Sequence, residues 1–291
     1  MDDQSITLSD GRSLGFQCLG DPSGRPLFLF HGSPGSRLVL SQDDLLAQIP
    51  DVRLIVPERP GYGISDPKPG RTLLDWPSDI AELANHLGLD SFAVSGASGG
   101  GPYALACAYS LASRVTKALL FASLAPTDFK GATRGMMFGN KLGLWLGRSA
   151  PWALQMLSRS QASAFQRSPE KFMDVLVKNV APPDQALFKD AEFREAVIRD
   201  LREGFRQGSD GHATDCVVAS QPWGFRLREI LVPVFVWHGE EDVLVTTAMA
   251  EYLAREIPRC TLCVVPRAAH MLVDHPSVVE EVRKVMYEGA S

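Results

Sequence analysis

The sequence predicts an α/β fold: a mostly parallel eight-stranded sheet with helices on both faces and a helical cap inserted after strand 6. Three observations support this prediction. Short runs that are apolar at every position recur along the chain, helical patterns separate most of them, and one long helical block interrupts the alternation. Continuous apolar runs are typical of strands that are covered on both faces, as in a parallel sheet.

An antiparallel hairpin is predicted at the N-terminal edge of the sheet, because Ser5–Leu8 and Leu14–Leu19 flank the turn pair Asp10-Gly11. The other six predicted strands are the apolar runs Leu27–Phe30, Leu54–Val56, Phe92–Val94, Ala118–Ala122, Val234–Trp237 and Leu262–Val265. Three helical patterns have an apolar or small-residue face that suits packing on a sheet. They span Asp75–Gly88, Gly101–Ser113 and Pro276–Glu288.

The strand–helix alternation stops between Thr127 and Phe225, where the sequence predicts several helices in succession. A helical block between two strands is best interpreted as a cap over the strand ends, where open α/β sheets place their sites. We therefore predict a core in two parts, residues 1–126 and 226–291, and a helical cap over residues 127–225.

The net charge and apolar content of the chain limit the classes of molecule that it is expected to bind. The chain has 291 residues and a net charge of −5 from 29 basic and 34 acidic residues, with its Lys and Arg residues scattered, so nucleic acid is not expected. Polar residues interrupt the apolar region Gly135–Leu157, and no apolar leader is visible, so neither a membrane helix nor a signal peptide is expected. We expect a cytoplasmic protein without a membrane partner; monomer and homodimer both remain open.

The five cysteines do not suggest a disulfide framework, because their number is odd and no export signal accompanies them. Cys260 and Cys263 form a C-x-x-C pair, but the segment around them is predicted as a buried strand, and no second Cys or His pair completes a zinc site. We interpret both as inert core thiols and expect neither a metal nor an organic cofactor.

The clearest chemical motif is Gly96-Ala97-Ser98-Gly99-Gly100, which follows one predicted strand and opens a predicted helix. In this setting G-x-S-x-G is typical of a nucleophile elbow, in which a strained turn exposes the Ser98 oxygen at a helix N-terminus. Gly99-x-Gly101-x-x-Ala104 also matches the dinucleotide-binding fingerprint. That alternative is disfavoured because the first glycine lies several residues past the strand and no acidic residue ends the next one.

Three further segments follow predicted strands. His31-Gly32-Ser33-Pro34-Gly35 can supply a backbone N–H to an oxyanion, so the predicted donors are the N–H groups of Ser33 and Gly99. Asp242 is the candidate acid that orients a base; Glu240 and Glu241 compete by residue type, and Asp128 competes by position. His270, after the last strand, is the candidate base.

The chain order Ser98, Asp242, His270 resembles that of the α/β-hydrolase superfamily, in its capped branch of esterase-like and proline-iminopeptidase-like members. His31–Gly35 is similar to the oxyanion-loop motif of that family, and Glu58–Asp66 is similar to its D-R-P-G-Y-G-x-S-D signature, with Glu58 in place of the first Asp. The resemblance covers about residues 5–125 and 226–289. Ala97 and Gly99 depart from the larger residues that often flank the serine in the family.

The resemblance implies a serine hydrolase that forms an acyl-enzyme, with a catalytic triad and no cofactor. We expect a carboxylesterase for small to medium, largely apolar esters; perhydrolase or haloperoxidase chemistry would be a side reaction. One alternative is an aminopeptidase of the proline-iminopeptidase type, in which cap carboxylates bind a free amine. The candidates are Asp174, Asp184, Glu192, Glu195 and Glu203. Another alternative is a hydrolase-fold receptor for a small molecule, with slow or no turnover.

Overall fold

The computed structural model describes residues 4–287 and contains the predicted eight-stranded sheet. The strands lie in the order β1-β2-β4-β3-β5-β6-β7-β8, in which β2 runs antiparallel to both β1 and β4 and all other pairs are parallel. Their bounds are β1 Gln4–Thr7, β2 Ser13–Gly20, β3 Arg25–Phe30, β4 Val52–Pro57, β5 Phe92–Ala97, β6 Val115–Phe121, β7 Val234–Gly239 and β8 Cys260–Val265. Every predicted strand is therefore confirmed.

The continuous apolar character of the central strands reflects burial on both faces of the sheet. Along β3, Phe28 and Phe30 belong to one apolar cluster, whereas Leu27 and Leu29 belong to a second cluster on the other face. Successive side chains of a strand point to opposite faces, so both sets must be apolar when helices cover both faces. This explains why a run without alternation predicted these strands correctly.

Helices cover both faces of the sheet. Apolar residues of α1, α2 and α9 pack in the first cluster, and those of α10 pack in the second. The bounds are α1 Trp76–His86, α2 Gly101–Ser110, α9 Thr247–Glu256 and α10 Pro276–Tyr287. The predicted end of α10 at Glu288 lies outside the described residues.

Six helices lie between β6 and β7, where the sequence predicts the cap. They are α3 Phe138–Ser149, α4 Pro151–Arg167, α5 Pro169–Val177, α6 Pro182–Leu187, α7 Ala191–Gly204 and α8 Asp210–Ser220. Buried residues of α4, α5 and α7, among them Phe165, Met173 and Ile198, form a third apolar cluster apart from the two that flank the sheet. Within the described residues, no helix is long and apolar enough to cross a membrane.

Two expectations about packing are wrong. The strand β8 is not buried: it lies at the edge of the sheet, and Val265 is its one buried residue, so Cys260 and Cys263 are half-exposed and not core thiols. Burial nonetheless raises the pKa of Cys260 to about 12. Large apolar residues of the cap are expected to pack inside it, but Phe138, Trp145 and Trp152 are exposed.

Candidate functional site

Ser98 occupies a sharp turn between β5 and α2. Its backbone φ is +53°, a left-handed conformation that non-glycine residues adopt only when the surrounding structure imposes it. Close packing supplies that constraint, since a Cβ on Gly96 would collide with the backbone of Gly100, and one on Gly100 with the carbonyl of Phe30. The half-exposed Ser98 side chain therefore stands at the N-terminal end of a helix, as the elbow motif predicts.

The loop after β3 lies directly against this turn. A Cβ on Gly99 would come within 2.9 Å of the Ser33 Cβ and 3.5 Å of the Ser33 nitrogen. Within residues 4–287, the N–H of Ser33 donates no hydrogen bond. The small residue at position 99, which departs from the family pattern, thus provides the space into which the Ser33 loop packs.

His270 and Asp242 form a hydrogen-bonded pair, in which the imidazole Nδ1 lies 2.8 Å from the Asp242 Oδ2. The other carboxylate oxygen accepts the backbone N–H groups of Leu244 and Val245, at 2.7 and 3.0 Å. These two bonds fix the orientation of the acid. Ser98, Asp242 and His270 follow β5, β7 and β8 and so lie at the carboxyl edge of the sheet. Among the described residues, Ser98 Oγ makes no hydrogen bond to His270; such contacts are often loose in ligand-free sites.

The competing carboxylates lie elsewhere. Asp128 is close to Tyr252, whose pKa it helps to raise, although burial of the phenol is the larger cause. Glu240 and Glu241 are exposed, whereas Asp242 is 7% exposed. Among these four candidates, Asp242 is the carboxylate that the structure places on His270.

His270 and Asp242 also shift each other's pKa. Burial alone would lower the pKa of His270, but the charge and hydrogen bond of Asp242, with a smaller effect of Asp184, raise that pKa above its ordinary value. Burial likewise opposes the charge on Asp242, yet the contacts with His270 hold the pKa of the carboxyl below its usual range. Both shifts favour an imidazolium–carboxylate pair, the species that forms when His270 takes up a proton.

Arg59 belongs to the Glu58–Asp66 signature, and its role in the site is not evident from the sequence. Its guanidinium is fully buried and donates to the carbonyls of His31, at 2.5 Å, and Gly32, at 2.7 Å. Its backbone N–H donates to Nε2 of His31 at 3.2 Å, and burial, the largest effect, lowers the pKa of that imidazole well below its ordinary value. Arg59 therefore holds the segment that leads into Ser33.

A cap residue neutralises this arginine. Asp215 of α8 is 2% exposed and accepts hydrogen bonds from the side chains of Arg59 and Arg71. Tyr62 and Tyr103 also donate their hydroxyl protons to it, at 2.8 and 2.7 Å. Arginine charges outweigh desolvation and hold the pKa of Asp215 far below its usual range. We call these five residues the Asp215 cluster.

The cluster reaches Ser33 through Tyr62. The Ser33 Oγ lies 2.9 Å from the Tyr62 hydroxyl and 3.1 Å from Nδ1 of His212 on α8. Because Tyr62 gives its only proton to Asp215, the Ser33 hydroxyl donates to Tyr62 or to His212. His212 thus contacts the loop that contains Ser33. Its pKa is lowered to about 4 by burial, so that the imidazole is neutral.

A second cap carboxylate holds the histidine loop. Asp184 of α6 is 2% exposed, and its two oxygens accept the backbone N–H groups of His270 and Met271, each at 3.1 Å. Helices between β6 and β7 thus contact both the loop that contains Ser33 and the loop that contains His270. Within the described residues, no group of three or more His, Cys, Asp or Glu is arranged to hold a metal ion.

Asp215→Asn should destabilise the protein by about 3–5 kcal/mol, because two buried arginines lose the charge that neutralises them. The matched control is Asp210→Asn on the same helix, whose side chain is 65% exposed and should change the free energy of unfolding by less than about 1 kcal/mol. Urea unfolding measures both variants. Equal stabilities would show that the cluster contributes no net electrostatic anchoring.

Comparison with known proteins agrees with this architecture. Residues 25–275 match the sequence model described as the alpha/beta hydrolase fold. A non-heme chloroperoxidase of Streptomyces lividans is 28% identical over 290 residues, covering 94% of this chain and 96% of the relative. A proline iminopeptidase of Xanthomonas citri is 33% identical over 110 residues, but these span only 36% of this chain and 34% of the relative.

Among solved structures, the esterase RhEst1 from Rhodococcus sp. ECU1013 superposes with a TM-score of 0.69 at 22% identity, over 99% of both chains. At that identity the likeness shows the fold alone. The family match extends from β3 to the segment after β8 and so includes every strand end at which the site is built. The chain therefore belongs to the α/β-hydrolase family.

Proposed function

We propose that the protein is a serine carboxylesterase for small to medium, largely apolar esters. In this proposal Ser98 is the nucleophile, His270 the general base and acid, and Asp242 the residue that orients His270. The observation that carries the proposal is the strained Ser98 turn, at the same edge of the sheet as a hydrogen-bonded His270–Asp242 pair. A buried acid that fixes one imidazole nitrogen leaves the other free for a serine hydroxyl.

The reaction has two acyl-transfer steps. His270 Nε2 removes the Ser98 proton while Oγ attacks the ester carbon, and His270 then returns that proton to the departing alcohol. Water attacks the acyl-enzyme with His270 again acting as base, and the carboxylic acid leaves. Asp242 keeps Nδ1 protonated and stabilises the imidazolium that forms in each step.

The N–H groups of Ser33 and Gly99 are the proposed oxyanion donors. Their backbones lie side by side, and the Ser33 N–H is not used within the described residues. Removing one such donor in other enzymes costs about 2.7–4 kcal/mol of transition-state stabilisation. The Arg59 contacts with His31 and Gly32 keep this donor in place before substrate binds, which is where preorganisation lowers the barrier.

The preference for apolar esters rests on the residues beside the triad. Leu244 and Met271, which follow Asp242 and His270 closely in the sequence, pack against the apolar cluster of the cap. The loops that contain Asp242 and His270 thus lie against an apolar surface of aliphatic and aromatic side chains from the cap. Such a surface favours an uncharged acyl or alcohol group.

An amine-binding site in the cap receives less support. Asp174 pairs with Arg194, and Glu203 pairs with Arg37 and Arg206. Glu192 and Glu195 are exposed. Both oxygens of Asp184 already accept backbone N–H groups. We therefore favour an ester over a peptide with a free amine, and keep the aminopeptidase as the alternative that a substrate comparison decides.

Intact-mass analysis after fluorophosphonate treatment tests the nucleophile. Wild type should gain one adduct, and Ser98→Ala none. Ser33→Ala is the matched control: it removes a neighbouring hydroxyl but keeps the backbone N–H, so it should still be labelled. No adduct on folded wild type would contradict an activated serine and favour the receptor alternative, which binds without turnover.

A panel of p-nitrophenyl esters graded by acyl length then tests the substrate class. We expect turnover of short and medium acyl chains, and little cleavage of a prolyl anilide whether its amine is free or acetylated. Faster cleavage of the free-amine prolyl substrate than of every ester would establish the aminopeptidase and overturn the esterase proposal.

The role of Asp242 predicts a pH effect as well as a rate effect. The base must be neutral, so kcat/KM should rise with pH through the pKa of His270, which Asp242 raises above the ordinary value of an imidazole. Asp242→Asn should lower kcat by about four orders of magnitude. It should also shift the rise in kcat/KM to lower pH, because burial then lowers the pKa of His270 without the opposing charge of Asp242.

Asp128→Asn is the control for that experiment and should change neither kcat nor the pH at which kcat/KM rises. If instead Asp128→Asn abolished activity and Asp242→Asn did not, the acid would have to lie after β6, and the assignment made here would be wrong.

A further inference from the structure

The first part of the cap has an unusual charge distribution. Between Asp128 and Glu170 the sequence contains no acidic residue, whereas it contains six basic ones. The rest of the chain has 23 basic and 34 acidic residues, a net charge of −11. The basic residues of this stretch are Lys130, Arg134, Lys141, Arg148, Arg159 and Arg167. The basic residues are spaced along the stretch, but because no acidic residue accompanies them it carries a net positive charge on a protein that is otherwise acidic.

The same stretch exposes large apolar side chains. Trp145 and Trp152 are 60% and 70% exposed, whereas the other three tryptophans, Trp76, Trp223 and Trp237, are at most 5% exposed. Phe138 and Met156 are also exposed, at 76% and 64%. Exposed apolar residues that cluster in this way mark an interaction surface more often than isolated ones do.

Apolar and basic side chains alternate along one helical face. On α3, Phe138, Lys141, Trp145 and Arg148 recur at intervals of three and four residues, and all four are exposed. The non-helical backbone of Ala150 separates α3 from α4, on which Trp152 and Met156 are exposed one turn apart. We call these six residues the α3–α4 face. Of the six basic residues of the stretch, Arg159 alone forms an ion pair among the described residues, with Asp210.

We propose that the α3–α4 face docks the protein on the surface of an anionic lipid bilayer. Tryptophan and phenylalanine insert at the boundary between headgroups and acyl chains, and lysine and arginine pair with anionic headgroups above them. Neither the apolar nor the basic side chains would bind a bilayer strongly alone, but the two together suit a peripheral, reversible attachment. This surface contact differs from our expectation of no membrane partner, which rested on the lack of a spanning helix.

Other partners fit the face less well. Nucleic acid binding requires basic residues that follow a phosphate backbone, and here Lys141 and Arg148 stand apart among apolar side chains. A second copy packed on the same face would bring like charges together. An anionic bilayer offers both a complementary charge and an apolar layer.

Docking through this face brings the site close to the lipid. The backbone N–H of Met137, just before α3, donates to the carbonyl of Val243 at 2.7 Å. The Asn140 side-chain amide donates to the carbonyl of Leu244 at 3.0 Å. The start of the face is thus joined to the loop that contains Asp242, so the bound protein would have this edge of its site next to the bilayer.

Co-sedimentation with vesicles tests the proposal without reference to the bond that is cleaved. Wild type should bind vesicles that contain phosphatidylglycerol and bind pure phosphatidylcholine vesicles more weakly. Brominated acyl chains should quench its tryptophan fluorescence. This quenching would come from Trp145 and Trp152, because the other three tryptophans are buried. Arg148→Glu should weaken binding to anionic vesicles at least about fivefold, as expected for removing a cation near an anionic surface.

Matched variants separate docking from folding. Trp145→Ala combined with Trp152→Ala should lose vesicle binding and quenching while keeping its thermal midpoint. Arg202→Glu is the charge control, because Arg202 is 61% exposed on α7 but lies outside the face, and it should bind vesicles like wild type.

Three results would overturn the proposal. The first is no binding of wild type to anionic vesicles. The second is binding that Arg148→Glu and Arg202→Glu weaken equally, since this would reflect net charge alone. The third is a stable dimer, measured by light scattering, that the tryptophan double variant dissociates, because a second copy would then cover the face.

Discussion

Burial of the Asp215 carboxylate is the constraint on which the arrangement of the site depends. An isolated charge in the interior is strongly unfavourable, so Asp215 requires partners that neutralise it and fill its hydrogen-bonding capacity. Arg59 and Arg71 supply the charge, and two tyrosine hydroxyls supply further donors. The same guanidinium of Arg59 then fixes the carbonyls that precede Ser33. One buried ion cluster therefore joins a cap helix to the loop that supplies a proposed oxyanion donor.

The helices between β6 and β7 consequently help to hold the loops of the proposed site. Besides Asp215, Asp200 of α7 accepts the backbone N–H and hydroxyl of Ser36, and Glu203 accepts from Arg37 at 2.6 Å. Asp184 holds the histidine loop on the opposite side. Opening the cap as a rigid lid would break all of these charged contacts together. Substrate access through side-chain or local helix movement preserves them and is the route that the contacts favour.

The parts of the structure that could be predicted from the sequence are those with a local physical signal. Continuous apolar runs indicated strands covered on both faces, and the glycines around Ser98 indicated a turn in which a Cβ has no space. Contacts between distant residues have no such signal. Arg59 and Asp215 are separated by 156 positions, and nothing near Asp215 indicates that it is buried. Arg59 in the Glu58–Asp66 signature was the one available indication of a buried acidic partner, since a charged residue beside buried aromatic residues needs a counter-charge.

Apolar content predicted burial wrongly for residues whose exposure depends on their position in the fold. The residues of β8 are as apolar as those of β3, yet β8 lies at the sheet edge and is largely uncovered. Trp145 and Trp152 are exposed for a comparable reason: hydropathy predicts burial, but the cap cluster is completed by other side chains, among them Phe165 and Phe205. Whether an apolar residue is covered depends on which elements pack against it, and that information is tertiary.

The most direct test of the account is a crystal structure of the wild-type protein after reaction with a fluorophosphonate. The phosphonyl group should be bonded to Ser98 Oγ, with its oxygen within hydrogen-bonding distance of the N–H groups of Ser33 and Gly99. The contacts of Arg59 with Asp215, His31 and Gly32 should be unchanged, because the loop is already in its working position. A phosphonyl oxygen directed away from Ser33, or a loop rebuilt with Arg59 detached from Asp215, would contradict a preorganised site held by the cap.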